Sequence, residues 1–237
     1  MKRAVAMMLA LVLTLVFSGA ALADDTITVT GSATVQLEPD MVMISLGVTA
    51  TEKEVLAAQQ KVNAAMADVV AALTAEEMAI APEDIATTDY YINERYNYDY
   101  DKGESVMVGY EANAMLSVCV RDIERAGAVI DAAMAAGANR LGGVEFMSSD
   151  QTAARDQALT LAVQDGMRKA KVIATAAGVN LPAIPSAITE ESAAAYNVTS
   201  NALYAYAEET ADMAAGTQLQ AGLLNVTARV TLVYEID

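Results

Sequence analysis

Alternation of apolar and polar residues predicts several β-strands along the chain. Residues 26–36 alternate apolar side chains with threonine and serine, which is typical of a strand. After a turn at 38–40, residues 41–49 place valine, isoleucine and leucine on one face and a mixed set on the other. We expect these two strands to pair as a hairpin. Four further stretches predict extended structure: 85–98, 106–120, 144–147 and 184–189, followed by a final strand within 218–236.

Three segments instead repeat their apolar residues at steps of three and four, which predicts amphipathic helices. The first begins at Thr51, with Glu54 at capping-box spacing. The second begins at Asp122 and ends at Gly137, and the third runs from about 152 to 177. The inward side chains expected on the third helix are Ala158, Leu161, Ala162, Ala170, Ile173 and Ala177.

The order of these elements predicts an α+β fold. Three amphipathic helices would pack on a mixed, largely antiparallel sheet, with a long β-hairpin formed by 85–98 and 106–120. Two β-α-β passes suggest a weak internal repeat. Residues 190–216 show no clear periodicity, so we expect an irregular loop or arm there.

The amino terminus has the three parts of a secretory signal peptide. Lys2 and Arg3 precede an apolar run over 4–17, and small residues follow up to Ala23. We expect cleavage after Ala23, leaving one domain over 24–237 in an exported protein that is periplasmic, extracellular or associated with the cell envelope. An uncleaved membrane anchor is the alternative.

The strongly negative net charge limits which partners the protein can bind. The whole chain has a net charge of −17, and loss of residues 1–23 would leave 12 basic against 31 acidic residues, a net charge of −19. Such a surface repels phosphate backbones and anionic lipids, so we expect no nucleic-acid partner and no stable membrane insertion after signal cleavage.

The residue types present leave little room for catalysis. The chain has no histidine, which excludes Ser-His-Asp, Cys-His and HExxH arrangements. Cys119 is the only cysteine and lies in a strand pattern, so a packed small side chain is favoured over a reactive thiol. Asp99, Asp101 and Glu104 could contact Ca²⁺, but a solvated turn is the preferred interpretation. We therefore expect no enzyme activity, no catalytic residue, no cofactor and no metal.

Tyrosines and methionines are unevenly used. Six tyrosines crowd the predicted hairpin and are the candidate oligomer-interface residues: Tyr90, Tyr91, Tyr96, Tyr98, Tyr100 and Tyr110. The equal alternative is that some of these tyrosines belong to an ordinary cross-strand ladder. Most methionines, such as Met66 and Met134, are expected to pack in the core, although exposed ones could act as oxidant sinks.

Short motifs in a shared order resemble a known family. The opening Ile27-Thr28-Val29-Thr30-Gly31-Ser32-Ala33, the later Gly109-Tyr110-Glu111-Ala112 and the closing Val230-Thr231-Leu232-Val233-Tyr234-Glu235 are typical of SIMPL-domain proteins. Further pieces agree in order, namely 39–40, 44–48, 85–88, 120–122, 135–139, 169–170 and 176–179. The resemblance covers nearly all of the chain after residue 23.

This resemblance implies an exported bacterial protein that self-assembles into ring-like or channel-like homo-oligomers. It also implies a role in envelope or oxidative-stress physiology, and it carries over no catalytic residue. The leading hypothesis is therefore a non-enzymatic SIMPL protein. An extracytoplasmic ligand- or peptide-binding module, with 190–216 as a lid over an unknown partner, is the alternative, and a hydrolase without histidine is a remote one.

Overall fold

A computed structural model describes residues 25–100, 103–191 and 216–236. The predicted signal peptide and almost all of the predicted loop at 190–216 lie outside these residues. The strands are β1 (Thr26–Leu37), β2 (Met41–Glu52), β3 (Ile85–Asp99), β4 (Glu104–Val120), β5 (Arg140–Met147), β6 (Ala187–Glu190) and β7 (Leu224–Glu235). The helices are α1 (Val55–Thr74), α2 (Ala126–Ala135) and α3 (Thr152–Ala177).

The α+β class, the antiparallel pairing and the three helices are confirmed, but the strands are divided between two sheets. One sheet has the order β1-β7-β6, and the other has the order β3-β4-β2-β5. The predicted β1–β2 hairpin is therefore wrong. At the turn between them, the Asp40 carboxylate accepts hydrogen bonds from the backbone N–H and the hydroxyl of Ser149. These bonds hold the start of β2 beside the end of β5, while β1 pairs with β7.

The described residues form two compact units. The larger unit, residues 34–100, 103–156 and 216–226, contains the four-stranded sheet. Its chain order β2-α1-β3-β4-α2-β5 gives two β-α-β passes, and in each pass the two strands are separated in the sheet by one antiparallel strand. This is the split β-α-β arrangement of ferredoxin-like folds. Both passes predicted from the sequence are thus present.

The core of the larger unit lies between this sheet and helices α1 and α2. Alternate residues of β2 and β4 are almost completely buried there, together with apolar residues of both helices. Met66 and Met134 pack against this core, which confirms the packing interpretation for those two methionines. The opposite face of β2 carries Met41, Met43 and Ser45, which are only half-buried.

In the smaller unit, residues 25–33, 157–191 and 227–236, helix α3 lies very close to β1. A Cβ added to Gly31 would lie 2.0 Å from the Ala162 carbonyl oxygen and 2.6 Å from the Gly166 nitrogen. The buried positions of α3 are all small residues: Ala154, Ala158, Ala162, Gly166, Ala170 and Ala174. Leu161, Ile173 and Ala177, predicted to face inward, are instead exposed. For Leu161 and Ile173 the reason is that the close approach leaves no room for a side chain larger than alanine.

Two predicted helix starts had different outcomes. The capping box at Thr51 and Glu54 is not formed, because β2 continues to Glu52 and α1 begins at Val55 without a side-chain cap. Asp122 does cap: its carboxylate accepts a hydrogen bond from the Glu124 N–H and starts the short 3₁₀ turn that leads into α2. Gly137, with φ of +114°, follows the helix as predicted.

Candidate functional site

The long hairpin of β3 and β4 combines an exposed edge strand with a return strand that is exposed at its start and buried toward its end. β3 has 15 residues and β4 has 17, and Gly103 takes a φ of +68° at the turn. β3 is the outermost strand of its sheet, and all its residues except Ile85, Ile92 and Asp99 are exposed on both faces. An ordinary sheet strand buries at least one face, whereas β3 buries neither. A strand this long and this exposed at a sheet edge usually has a partner that covers it.

The structure places five of the six candidate tyrosines in exposed positions. Tyr90 and Tyr91 are about two-fifths exposed, Tyr96 and Tyr98 are 53% and 55% exposed, and Tyr100 is 89% exposed. Tyr110 is half-buried. The rings of Tyr98 and Tyr100 meet edge to face with centroids 5.0 Å apart. This contact links the two most exposed rings at the end of the hairpin.

A β-bulge divides the hairpin into an inner and an outer part. Arg95 lies opposite Gly109, but Tyr96 lies opposite Met107, so Val108 has no partner in β3. Gly109 has a φ of +153°, and a Cβ at this position would lie 2.4 Å from the Glu52 carbonyl oxygen. Bulges bend the strand that contains them and increase its local twist. We call residues 96–100 and 103–108, beyond this bulge, the outer hairpin.

In the β3–β4 register, five of the six tyrosines lie opposite residues of other types, as in an ordinary cross-strand ladder. Tyr96 lies opposite Met107, Tyr98 opposite Ser105, and Tyr110 opposite Glu94. Tyr90 is held differently, because its hydroxyl donates a hydrogen bond of 3.0 Å to Asn63 Oδ1 on α1. Tyr90 therefore anchors the inner hairpin to the helix layer, while the outer tyrosines remain available.

The outer hairpin also exposes three apolar side chains that the sequence argument did not single out. Val106, Met107 and Val108 are each about two-fifths exposed and lie on the return strand beside the outer tyrosines. The sequence pattern predicts this stretch only as the start of the return strand 106–120. The signal was present in the sequence, because Val106-Met107-Val108 is a continuous apolar run rather than an alternating one.

Charged groups around the inner edge of this surface are paired. Arg95 and Glu111 form an ion pair of 2.6 Å across the strands. The Tyr96 hydroxyl donates a hydrogen bond of 2.6 Å to the Glu94 carboxylate. That bond, and the charge of Glu94, raise the pKa of Tyr96, so its hydroxyl stays protonated at neutral pH. The outer hairpin is thus a mainly uncharged aromatic and aliphatic surface next to satisfied polar groups.

The hairpin turn shows no metal site in its described part. Asp99 and Glu104 are opposite each other where the strands end, and Asp101 lies outside the described residues. Among the residues that the structure describes, no group of three or more Cys, Asp or Glu side chains could hold a metal ion. None of the described helices combines the length and the apolar character needed to cross a membrane.

Comparison with known families identifies the chain. The family model SIMPL, described as a protein of unknown function (DUF541), matches residues 27–234. The chain belongs to the SIMPL family. The matched region includes both sheets, all three helices and the long hairpin of this SIMPL protein.

Relatives of this SIMPL chain carry names without a stated activity. The 26 kDa periplasmic immunogenic protein of Brucella melitensis is 31% identical over 161 residues, covering 65% of this chain and 62% of the relative. Uncharacterized protein YggE of Edwardsiella ictaluri is 26% identical over 151 residues, covering 64% and 62%. YggE of Escherichia coli K12 is 24% identical over 148 residues, covering 62% and 58%. The chain spans about three-fifths of the length of these curated relatives.

Proposed function

We propose that this SIMPL protein is exported to the periplasm or cell envelope, has no enzymatic activity and self-associates through the outer hairpin. The observation that supports self-association is the exposed surface of Tyr96, Tyr98 and Tyr100 with Val106, Met107 and Val108 on an edge strand. Export is supported by the signal-like amino terminus and by the name of the Brucella relative.

The composition of the outer hairpin favours a protein partner. Tyrosine and methionine are enriched in interface cores, while charged residues are depleted there. Fully covering a side chain such as valine or methionine contributes roughly 1.5–3 kcal/mol, and a tyrosine buries a larger area still. A few such residues on each subunit would offset the entropic cost of association.

The position of β3 favours a second copy of the chain as that partner. A two-fold axis beside an edge strand lets the same surface meet itself, and most soluble oligomers are symmetric homo-oligomers. The strand also presents backbone N–H and C=O groups along its outer side, where another strand can pair. Repetition of such contacts around an axis would produce the ring-like or channel-like assembly implied by the family resemblance.

Sedimentation velocity of the purified protein tests this proposal. The double variant Tyr96→Ser/Tyr98→Ser should shift the sedimentation profile to monomer, since it removes two exposed rings from the interface while leaving the core unchanged. The matched control is Leu56→Ser, which removes an apolar side chain that is 67% exposed on α1. A monomeric wild-type protein, or a double variant that sediments like wild type, would contradict the proposed interface.

We also propose a physiological role for this assembly. We expect the assembly to support the envelope under oxidative stress, so a strain lacking the protein should grow more slowly with peroxide. Complementation with wild type should restore growth, and complementation with the Tyr96→Ser/Tyr98→Ser variant should not. If wild type and the double variant restored growth equally, the stress role would not depend on assembly through the outer hairpin.

A ligand-binding module is the second candidate, and one cavity in the smaller unit favours it. A groove of about 590 Å³ is lined by Lys171, Leu181, Pro182 and the nearly buried Tyr234, among others. An amine beside apolar walls suits a small carboxylate with an apolar tail. Light scattering separates the candidates, because the module needs no self-association.

A further inference from the structure

The face of the four-stranded sheet opposite α1 and α2 gathers sulfur-containing side chains from three strands. Residues opposite one another in adjacent strands project to the same face. Met43 lies opposite Cys119 of β4, and Met41 lies opposite Met147 of β5. All four side chains are half-buried, whereas the other face of β2 is fully buried against the helices. We call Met41, Met43, Cys119 and Met147 the sulfur cluster.

Two of these sulfurs already have the separation of ligands to one ion. Cys119 Sγ and Met41 Sδ are 3.7 Å apart. Two sulfurs bound at about 2.3 Å to one tetrahedral metal ion lie about 3.8 Å from each other. Met43 lies opposite Cys119 in the register, and its Sδ accepts a hydrogen bond of 2.8 Å from the Ser117 hydroxyl on the same face. The strand register thus places these side chains on one face of the sheet, with one thiol–thioether contact already formed.

Open space next to the sulfur cluster gives an ion access. Met41 and Met147 line a cleft of about 430 Å³, and Cys119 lines another of about 440 Å³. Met66 and Met134, by comparison, are partly buried against the hydrophobic core of the larger unit. Met41, Met147 and Cys119 differ from these two methionines because they line open clefts.

From this geometry we infer that the sulfur cluster is a binding site for a soft monovalent cation, Cu(I). Thiolate and thioether ligands together select Cu(I), whereas Zn²⁺ takes thiolate, imidazole and carboxylate. Cys119 and Met41 supply two ligands, and Met43 or Met147 supplies the third. On binding, the Cys119 thiol releases its proton to solvent and the sulfur forms a bond to copper, with no change in oxidation state.

Burial raises the pKa of the Cys119 thiol, and the charge of Asp84 adds to that effect. The free thiol is therefore mainly protonated and a weak nucleophile at neutral pH. The site goes beyond the proposed assembly, because it lies on the sheet rather than on the outer hairpin.

Competition for Cu(I) under anaerobic conditions tests the site. The purified full chain is titrated against the Cu(I) complex of the chromophoric chelator bicinchoninate, and we expect it to withdraw one Cu(I) per chain. Cys119→Ser and Met41→Leu should each weaken retention at least about tenfold, a loss that removal of outer-shell partners alone can cause. Met66→Leu and Met134→Leu are the controls, since these methionines pack in the core, and both should retain Cu(I) like wild type.

A second readout does not depend on the chelator. Cu(I) should protect Cys119 from alkylation by iodoacetamide, while Zn²⁺ at the same concentration should not. Failure of wild type to withdraw Cu(I) would overturn the site. Retention of Cu(I) by Cys119→Ser at the wild-type level would also overturn it. Wild-type binding by Met41→Leu would overturn it as well, because binding would then be nonspecific binding to a thiol. Sedimentation velocity of Cys119→Ser and Met41→Leu measures self-association separately. Failure of the copper site can thus be distinguished from failure of the outer-hairpin interface.

Discussion

At the scale of single residues, Asp165 is the most strongly stabilised carboxylate of the smaller unit. Its oxygens accept hydrogen bonds from Lys169 Nζ and from an Arg168 nitrogen, each at 2.6 Å, and from the Ser32 N–H at 3.1 Å. These groups, Lys169 first, hold the pKa of Asp165 well below its usual range. Lys169 also donates to the Thr30 carbonyl, so the cluster ties α3 to β1.

The sign of this shift predicts loss of stability in acid. Because the folded-state pKa lies below that of the unfolded chain, the ionised carboxylate stabilises the fold above about pH 4, and this contribution is lost as the pH falls further. We expect Asp165→Asn to lower the Tm at pH 7. The difference from wild type should shrink progressively between about pH 4 and pH 2, as measured by thermal unfolding followed by circular dichroism.

Asp68→Asn on α1 is the matched control for this measurement. Asp68 is exposed and makes no hydrogen bond or ion pair with any described residue, so the Tm of Asp68→Asn should follow that of wild type. The absence of histidine also predicts little change in stability between about pH 5 and pH 8. A difference between Asp165→Asn and wild type that stayed constant down to pH 2 would contradict the electrostatic explanation.

At the scale of elements, the contact between β1 and α3 depends on Gly31. Backbone atoms of Ala162 and Gly166 occupy the space that a Cβ would need. Backbone cannot move aside as a flexible side chain can, so overpacking here should cost about 3 kcal/mol, the upper part of the usual range. We expect Gly31→Ala to reduce the free energy of unfolding by this amount in urea denaturation.

Two other glycines calibrate that prediction. A Cβ at Gly166 would meet the end of the Leu232 side chain at 2.7 Å, so Gly166→Ala should cost less, about 1 kcal/mol. A Cβ at Gly143 would meet nothing within 4 Å, so Gly143→Ala should be neutral or slightly stabilising. If all three variants lost the same stability, the close approach of β1 and α3 would not be the cause of the loss at Gly31.

The sequence predicts the strands of this fold better than it predicts their pairing or the packing of α3. Alternation found the strands because burial on one face imposes a period of two, and this period is visible in β2, β4 and β7. Strand pairing was harder to predict from the sequence. No local pattern indicates that β1 pairs with β7, about 200 residues later, rather than with β2. The expected inward position of Leu161 failed because a helix packed against Gly31 selects small residues, a tertiary constraint that an apolar stripe does not reveal.

The candidate site was only partly visible for the same reason. The tyrosine-rich hairpin was predicted, and its interface role stays a prediction. The bulge at Val108 and the exposed run Val106–Val108 depend on a register between β3 and β4 that the sequence alone does not specify. The sulfur cluster depends on three strands at once, so no local pattern could have indicated it.

At the scale of the whole molecule, net charge opposes the proposed assembly. Each chain has a net charge of −17, and bringing two copies together increases the repulsion between them. The outer hairpin is mainly uncharged, so association would depend on burying apolar surface against this repulsion. Added salt shortens the range of the repulsion from about 10 Å at 0.1 M to about 3 Å at 1 M.

Self-association should therefore strengthen with ionic strength. We expect the dissociation constant from sedimentation equilibrium to fall on the order of tenfold, which is about 1.4 kcal/mol, between low and high NaCl. Glu104→Gln, which removes a negative charge from the outer hairpin, should strengthen association at low salt more than Glu76→Gln, an exposed position beyond the end of α1. Weaker association in high salt would contradict this prediction. It would indicate that ion pairs between subunits, and not the apolar surface of the outer hairpin, hold the assembly together.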